Sequence, residues 1–364
     1  MKNTIGSNVA VTLFGESHGP SIGVVIDGLA PGIPVDEAYI AKLLQRRRAA
    51  GAISTARQEA DRFVIESGVF EGYTTGTPIC IRIPNEDTRS RDYSQTRNLA
   101  RPSHADFTAN EKYHGFEDYR GGGHFSGRIT AALVAAGALV LPALEKKGIC
   151  IGTHIRRCAG IADREFENYQ EDITYLKGLD FAVLDQKAGE KMQQAILQAK
   201  AACDSVGGVL ETAITGLEAG LGEPWFDTVE SVLSHMLFAV PAVKGVEFGA
   251  GFAVADMTGS QANDPFCMKD GRVQTKTNNA GGINGGITNG MPVVLRCAVR
   301  PTPTISREQE TVDMQKKENA LLVAKGRHDP CIVHRVATVI DCVCALTVCD
   351  LLTGRYGADW WTTK

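Results

Sequence analysis

The sequence predicts an α/β protein in which mixed strands surround two buried central helices, without a doubly wound sheet. Three observations carry this. Ser126 to Leu144 and Ile332 to Leu352 are apolar on all sides, the mark of helices enclosed by other elements. Short β-branched runs separated by glycine turns recur along the rest of the chain and read as strands. No regular strand–helix alternation accompanies them, so a parallel doubly wound sheet finds no support.

In order, Val9–Thr12 and Ile22–Ile26 read as strands flanking a glycine-rich loop. Asp36 is a candidate N-cap for a helix whose Ile40, Leu43, Leu44 and Arg47 share one face. Residues 60–84 read as strand pieces around the turn Glu71–Gly76. The first buried helix follows, then a charged surface segment, Asp163 to Lys200, with an amphipathic helix at Lys187–Cys203. Strands are expected at Val206–Thr215, Gly245–Val254 and Pro292–Val299, with a loop-rich stretch from Asp256 to Gly290. Ser306–Val323 stays unassigned: Ser306-x-x-Gln309 resembles a capping box, but the apolar spacing after it is poor for a helix. The second buried helix closes the chain. Length leaves two domains or one large α/β domain open, and no Ser/Pro linker divides the chain.

The chain has 364 residues, 38 Lys+Arg against 42 Asp+Glu, and a formal charge of -4. An acidic balance with no recognition motif argues against nucleic-acid binding. None of the ten cysteines forms a C-x-x-C pair, and the eight histidines show no metal-ligand spacing, so no metal is expected. The apolar stretch Ile129–Leu144 is broken by Thr130, Gly137 and Pro142 and falls short of the ~20 residues of a membrane span. Thiols without a secretory leader point to a reducing, cytoplasmic compartment. Glycine is the outlier: 39 residues, against a typical share of about 7%.

Several glycine segments carry candidate chemistry. Gly15-Glu-Ser-His18-Gly-Pro20 puts a histidine in a turn, either projecting into a cavity for proton transfer or capping the turn. Arg46–Arg48 ends a helix, where basic residues complement the dipole; Arg47 differs by lying on the apolar face, where it must snorkel or meet an anion. Arg101-Pro-Ser-His104-Ala-Asp106 adds a second histidine. Tyr119-Arg-Gly-Gly-Gly-His124-Phe-Ser126-Gly-Arg128 runs into the first buried helix and favours an anion-binding nest over a plain turn, with Ser126 as cap. Asn278–Gly286 is either a flexible loop or a flat backbone surface for a planar ligand. Gly326-Arg-His-Asp329-Pro330 reads as a turn and N-cap signal, or as an active-site carboxylate. Arginines, histidines and glycine loops imply an anionic substrate, proton transfer and an organic cofactor.

Taken together the segments resemble one family, chorismate synthase. GESHGPSIGVVIDGLAPG (Gly15–Gly32), GGGHFSGRITAALVAAGAL (Gly121–Leu139) and GRHDPCIVHRVATVID (Gly326–Asp341) are similar to its signature regions. RPSHAD, SGVFEGYTTGTPI, NNAGGINGGITNG and RPTPTI follow family segments in the same order. The resemblance implies one domain, residues 1–364, a β-α-β sandwich, assembly as a homotetramer, and a lyase. The implied reaction is anti-1,4-elimination of phosphate from 5-enolpyruvylshikimate 3-phosphate to chorismate. Reduced FMN is the implied cofactor, with NADPH a candidate reductant.

By the same resemblance, His18 protonates the departing phosphate, His104 donates a proton to the reduced flavin, and Asp329 assists removal of the ring hydrogen. Arg47, Arg57, Arg101, Arg128 and Arg327 are the implied substrate ligands. His124, Phe125, Ser126, Gln261, Ala262, Gly285, Arg300, Pro301, Thr302, Pro303, Thr304 and Arg327 are implied at the flavin. The chain departs from the usual GGGRSSAR at His124, Phe125 and Gly127. Arg300 replaces the usual Lys, and Asn284 an aliphatic residue. Ala52 and Ile53 stand where a further arginine is expected, for which Arg57 is the candidate substitute; His334 and Asp341 replace Pro and Glu. These departures motivate one alternative, a non-catalytic homologue that binds flavin or a shikimate-type anion without turnover.

Overall fold

In a computed structural model of the chain, residues 2–49, 51–55, 59–87, 97–324 and 328–362 are described. Two five-stranded antiparallel sheets enclose the central helices. The first runs Thr4–Ile5, Ala10–Gly15, Ser21–Asp27, Ile79–Pro84, Val64–Ser67. The second runs Val243–Phe248, Val293–Val299, Gly208–Thr215, Cys150–Cys158, Ile161–Ala162. Strict alternation sets the faces: Ile79, Ile81 and Ile83 point inward and are fully buried.

The helices are α1 (Glu37–Arg47), α2 (Asp106–Tyr113), α3 (Thr130–Lys146), α4 (Tyr169–Leu176), α5 (Gln186–Ala201), α6 (Val229–Phe238), the short α7 (Gly259–Ala262) and α8 (Val333–Tyr356). α3 packs on the first sheet and α8 on the second, and the two helices pack on each other. Their close approach needs small residues. A Cβ on Gly137 would lie 2.3 Å from Cys342 Cβ, and alanines 131, 132, 135, 136 and 138 line the rest of the buried helix. The sandwich expected from the family resemblance is therefore present, with the helices as its filling.

Gly127–Lys146 (20 residues) and Val333–Tyr356 (24 residues) are long and apolar enough to cross a membrane by composition alone. The first exceeds the Ile129–Leu144 stretch read from the sequence, because a 3-10 turn, Gly127–Ile129, extends it. Both are enclosed by the fold, 89% and 83% buried, which accounts for their apolarity.

Asp36 caps α1 by accepting from Tyr39 N at 2.9 Å, and Ile40, Leu43, Leu44 and Arg47 are buried as expected. The amphipathic helix also forms, as α5. Other expectations shift. The Gly245–Val254 strand ends at Phe248, since Gly249 and Gly251 adopt positive φ and a 3-10 turn follows. The loop-rich stretch contains a hairpin, Phe266–Lys269 with Arg272–Thr275. Ser306 caps no helix: Gln309–Asp313 pairs with Glu318–Leu322 as a hairpin, turning at Lys317 in the left-handed region. The alternating half-buried pattern there has period two, which explains the poor helical spacing. α2 had no sequence signal, because it is polar and buries only Ala109.

Candidate active site

The site lies where the Ala10–Gly15/Ser21–Asp27 hairpin meets the entry to α3. Three contacts hold the hairpin turn carrying His18. Ser17 N donates to Gly123 O at 3.0 Å, and Asn85 Nδ2 donates to Glu16 O at 2.9 Å and Gly19 O at 2.8 Å. His124 Nδ1–H donates to Gly15 O at 2.7 Å, tying the residue after the triglycine to the strand end. His18 is buried as a result.

Gly121, Gly122 and Gly123 all take positive φ. Contacts as well as backbone require glycine here. A Cβ on Gly121 would lie 2.1 Å from His18 Cε1, and one on Gly122 would lie 3.1 Å from His104 Cε1. The segment read as an anion nest is thus the surface on which both histidine rings rest. Ser126 caps as expected, accepting from Arg128 N at 3.3 Å.

Asp106 orients His104. Burial pushes the Asp106 carboxyl up, but hydrogen bonds from Arg101 and His104 outweigh it and hold it well below the usual range. An ionised Asp106 accepts from His104 Nδ1–H at 2.8 Å, which leaves Nε2 as the nitrogen available for chemistry. Arg101 grips the same carboxylate through Nε and Nη2, both at 2.7 Å. The structure therefore shows Arg101 engaged with a protein anion. Burial also pushes the neighbouring His328 imidazole below its usual range, and the Arg101 charge acts in the same direction.

Of the two outcomes its place on the apolar face left open, snorkelling or meeting an anion, Arg47 takes the second: Nη2 lies 2.9 Å from Asp61 Oδ2. Arg128 Nη1 pairs with the other oxygen of Asp61. Its Nε donates to Asn85 Oδ1 at 3.1 Å and its Nη2 to Pro84 O at 3.3 Å. Burial raises the Asp61 carboxyl, but the two guanidinium charges outweigh it and leave it below the usual range. Asp329 does not cap α8, which begins four residues later. Its carboxylate accepts from Thr55 N at 2.8 Å and pairs with Arg335, whose Nε donates to Arg47 O at 2.9 Å.

A cavity of about 350 Å³ opens beside these groups. His104, His124, Ser126 and Arg300 supply its polar wall, and Leu13, Phe125, Ile129, Leu133 and Pro241 much of its apolar one. Arg300 donates to Ser103 O, while its buried Nε has no hydrogen-bond partner. Pro301, Thr302, Pro303 and Thr304 continue from Arg300; Ser205 Oγ donates to Thr302 O at 2.7 Å. Gln261 and Ala262, tied through their carbonyls to Asn279 Nδ2, and Gly285, in a separate hairpin, do not line the cavity. Arg57 and Arg327 lie outside the described residues. Asp61, Asn85 and Asp106 were not singled out from the sequence as functional. Only Asp106 left a signal, a carboxylate two residues after His104 in RPSHAD.

The geometry defines a site with two oriented histidines, a buried arginine pair and an adjoining cleft, at the rim of a β-α-β sandwich. Residues 9–353 match the family model described as chorismate synthase. Chorismate synthases of Thermococcus gammatolerans (44% identical) and Pyrococcus abyssi (45%) align over 350 residues, 96% of this chain and 97% of theirs. That of Methanosarcina mazei is 45% identical over 349 residues, 96% of this chain and 95% of its own. A solved structure titled as the crystal structure of chorismate synthase superposes with a TM-score of 0.77, at 27% identity, over 98% of this chain and 94% of that one. The chain belongs to the chorismate synthase family. The non-catalytic alternative finds no support in these relationships.

Proposed function

We propose that the chain acts as one domain with lyase activity, eliminating phosphate from 5-enolpyruvylshikimate 3-phosphate in the anti-1,4 sense to give chorismate. The observation that carries this is the seating of His18 and His104 on adjacent glycines of one segment, beside buried arginines. Two proton carriers seated on adjacent glycines suit a reaction in which protons are delivered at two points of one site.

The cleft fits reduced FMN on its donor chemistry. Arg300 Nε is a buried donor without a partner, and an apolar wall faces the polar one. His104, His124, Phe125, Ser126 and Arg300 would hold the cofactor, with residues 301–304 behind them. The chemistry that reduced FMN would supply, once held by these residues, is electron density that favours phosphate loss. The remaining work falls to side chains. Arg47 and Arg128 bind the anionic substrate, and His18 delivers a proton to the departing phosphate. His104, oriented by Asp106, would hold a proton at Nε2 for the cofactor in the cleft that it lines. Asp329, held by Thr55 and Arg335, assists loss of the ring hydrogen. Gln261, Ala262 and Gly285 keep their proposed role at the flavin although they do not line this cleft, and assembly as a homotetramer is also proposed. A cytoplasmic setting with NADPH as reductant completes the reading.

An anaerobic assay with the enolpyruvyl substrate and chemically reduced FMN tests it by following chorismate absorbance. Chorismate should accumulate at a rate proportional to protein. Folded protein that makes none at saturating flavin would overturn the proposal.

A further inference from the structure

Arg47 and Arg128 come from different elements, the last turn of α1 and the 3-10 turn before α3, yet their guanidinium groups share one carboxylate. The side chains of Arg47, Arg128 and Asp61 are 5%, 3% and 1% exposed. Two cations brought to one carboxylate in a buried place repel each other, and each carries a desolvation cost. One carboxylate offsets both effects. Asp61 sits in the left-handed region at φ 52, a conformation unfavourable for a residue other than glycine, which the surrounding contacts over-determine.

The donor count shows what this arrangement leaves over. Arg128 presents five N–H groups and commits one each to Asn85, Asp61 and Pro84. One N–H on each terminal nitrogen remains. Arg47 is braced from a second side, through Nη1 to Thr130 Oγ1 at 3.3 Å. Both guanidinium groups are thus held in place by protein oxygens.

We infer that Asp61 is a positioning residue. It aligns Arg47 and Arg128 as a single receptor for an oxyanion of the substrate. The inference rests on the substrate-binding role proposed above for the two arginines, and it assigns Asp61 no direct contact with substrate.

The test is the steady-state kinetics of the intact protein with reduced FMN, using inorganic phosphate as a competing probe. Asp61→Asn keeps the shape and removes the charge. KM for the phosphorylated substrate should rise at least tenfold and the phosphate inhibition constant in parallel, with kcat changing by less than threefold. An Asp61→Asn protein that folds and keeps both constants overturns the inference. A fall in KM also overturns it, since Asp61 would then compete with substrate for the arginines. If Asp61→Asn does not fold, Asp61→Glu retains the charge and should raise KM several-fold; an unchanged KM there refutes the assignment. Should neither variant fold, Asp61 is a folding residue and the inference falls. Arg128→Lys separates this from the parent reading. If Arg128→Lys leaves KM unchanged, the substrate site itself is misassigned; if KM rises there but not in Asp61→Asn, only the role of Asp61 fails.

Discussion

Gly121→Ala should disable catalysis while sparing the fold. The added methyl would sit 2.1 Å from His18 Cε1 and 2.3 Å from Nδ1, and ordinary contact begins near 3.4 Å. The imidazole must therefore retreat by about 1.3 Å. An imidazole can rotate, so the packing penalty is small. The left-handed backbone at φ 58 adds about 1–2 kcal/mol for an alanine. Together these predict a melting temperature lowered by only a few degrees. A misplacement of about 1 Å at a reacting group costs about 100-fold, so kcat should fall by roughly that factor. Gly127→Ala is the control: a Cβ there meets nothing within 4 Å and its φ is ordinary. The assay is anaerobic chorismate formation, with thermal melting followed by circular dichroism. A Gly121→Ala protein with wild-type kcat would refute the claim that the triglycine segment seats His18.

Other expectations follow from the same contacts. His18→Ala and His104→Ala should each lower kcat by about 10²–10⁴ with unchanged circular dichroism; unaltered rates would remove them from the mechanism. His154 lies fully buried between Asp163 at 2.9 Å and Glu211 at 3.0 Å. Burial pushes its imidazole down, but the two carboxylates outweigh this and raise it. Its contribution is thus complete below the unfolded value of about 6.5 and lost as pH rises through the higher folded one. His154→Leu should cost about 3–5 kcal/mol in urea unfolding at pH 6 and less at pH 9; an equal gap at both would contradict this. Burial raises the Asp341 carboxyl to about 7, against the opposing effects of Thr153, Arg46 and Lys177. A raised carboxyl loses stability as pH climbs from about 4 to that value, so Asp341→Asn should melt higher than wild type at pH 8 and close to it at pH 4. Coincident melting curves at pH 8 would refute the shift.

The two central helices were legible because burial on every side needs apolar residues at every position, a local property of the string. α1 was legible for a similar reason: its cap and apolar face are set within one stretch, and Arg47 on that face signalled either snorkelling or an anion, without naming Asp61. The Gln309–Leu322 hairpin was not legible. Its strands are half-exposed and carry only weak alternation, which a capping-box resemblance could obscure. α2 was missed because a helix that buries one alanine leaves no periodic trace.

At the site, the sequence by itself determined the residue types and their order. Histidines and arginines set beside glycines specified proton transfer on an anion, and the order of the motifs resembled one family. It could not determine pairing, because partners are chosen by where distant segments land. Arg47 and Asp61 are 14 residues apart and Arg128 and Asp61 are 67 apart, yet one carboxylate holds both guanidinium groups. Nor could it explain the third dimension of the triglycine. Composition says only that glycines permit close approach; the packing of α3 against the first sheet decides that His18 and His104 are what approaches. Local chemistry is written residue by residue, whereas the charge state and orientation of each group depend on neighbours that only the folded chain supplies.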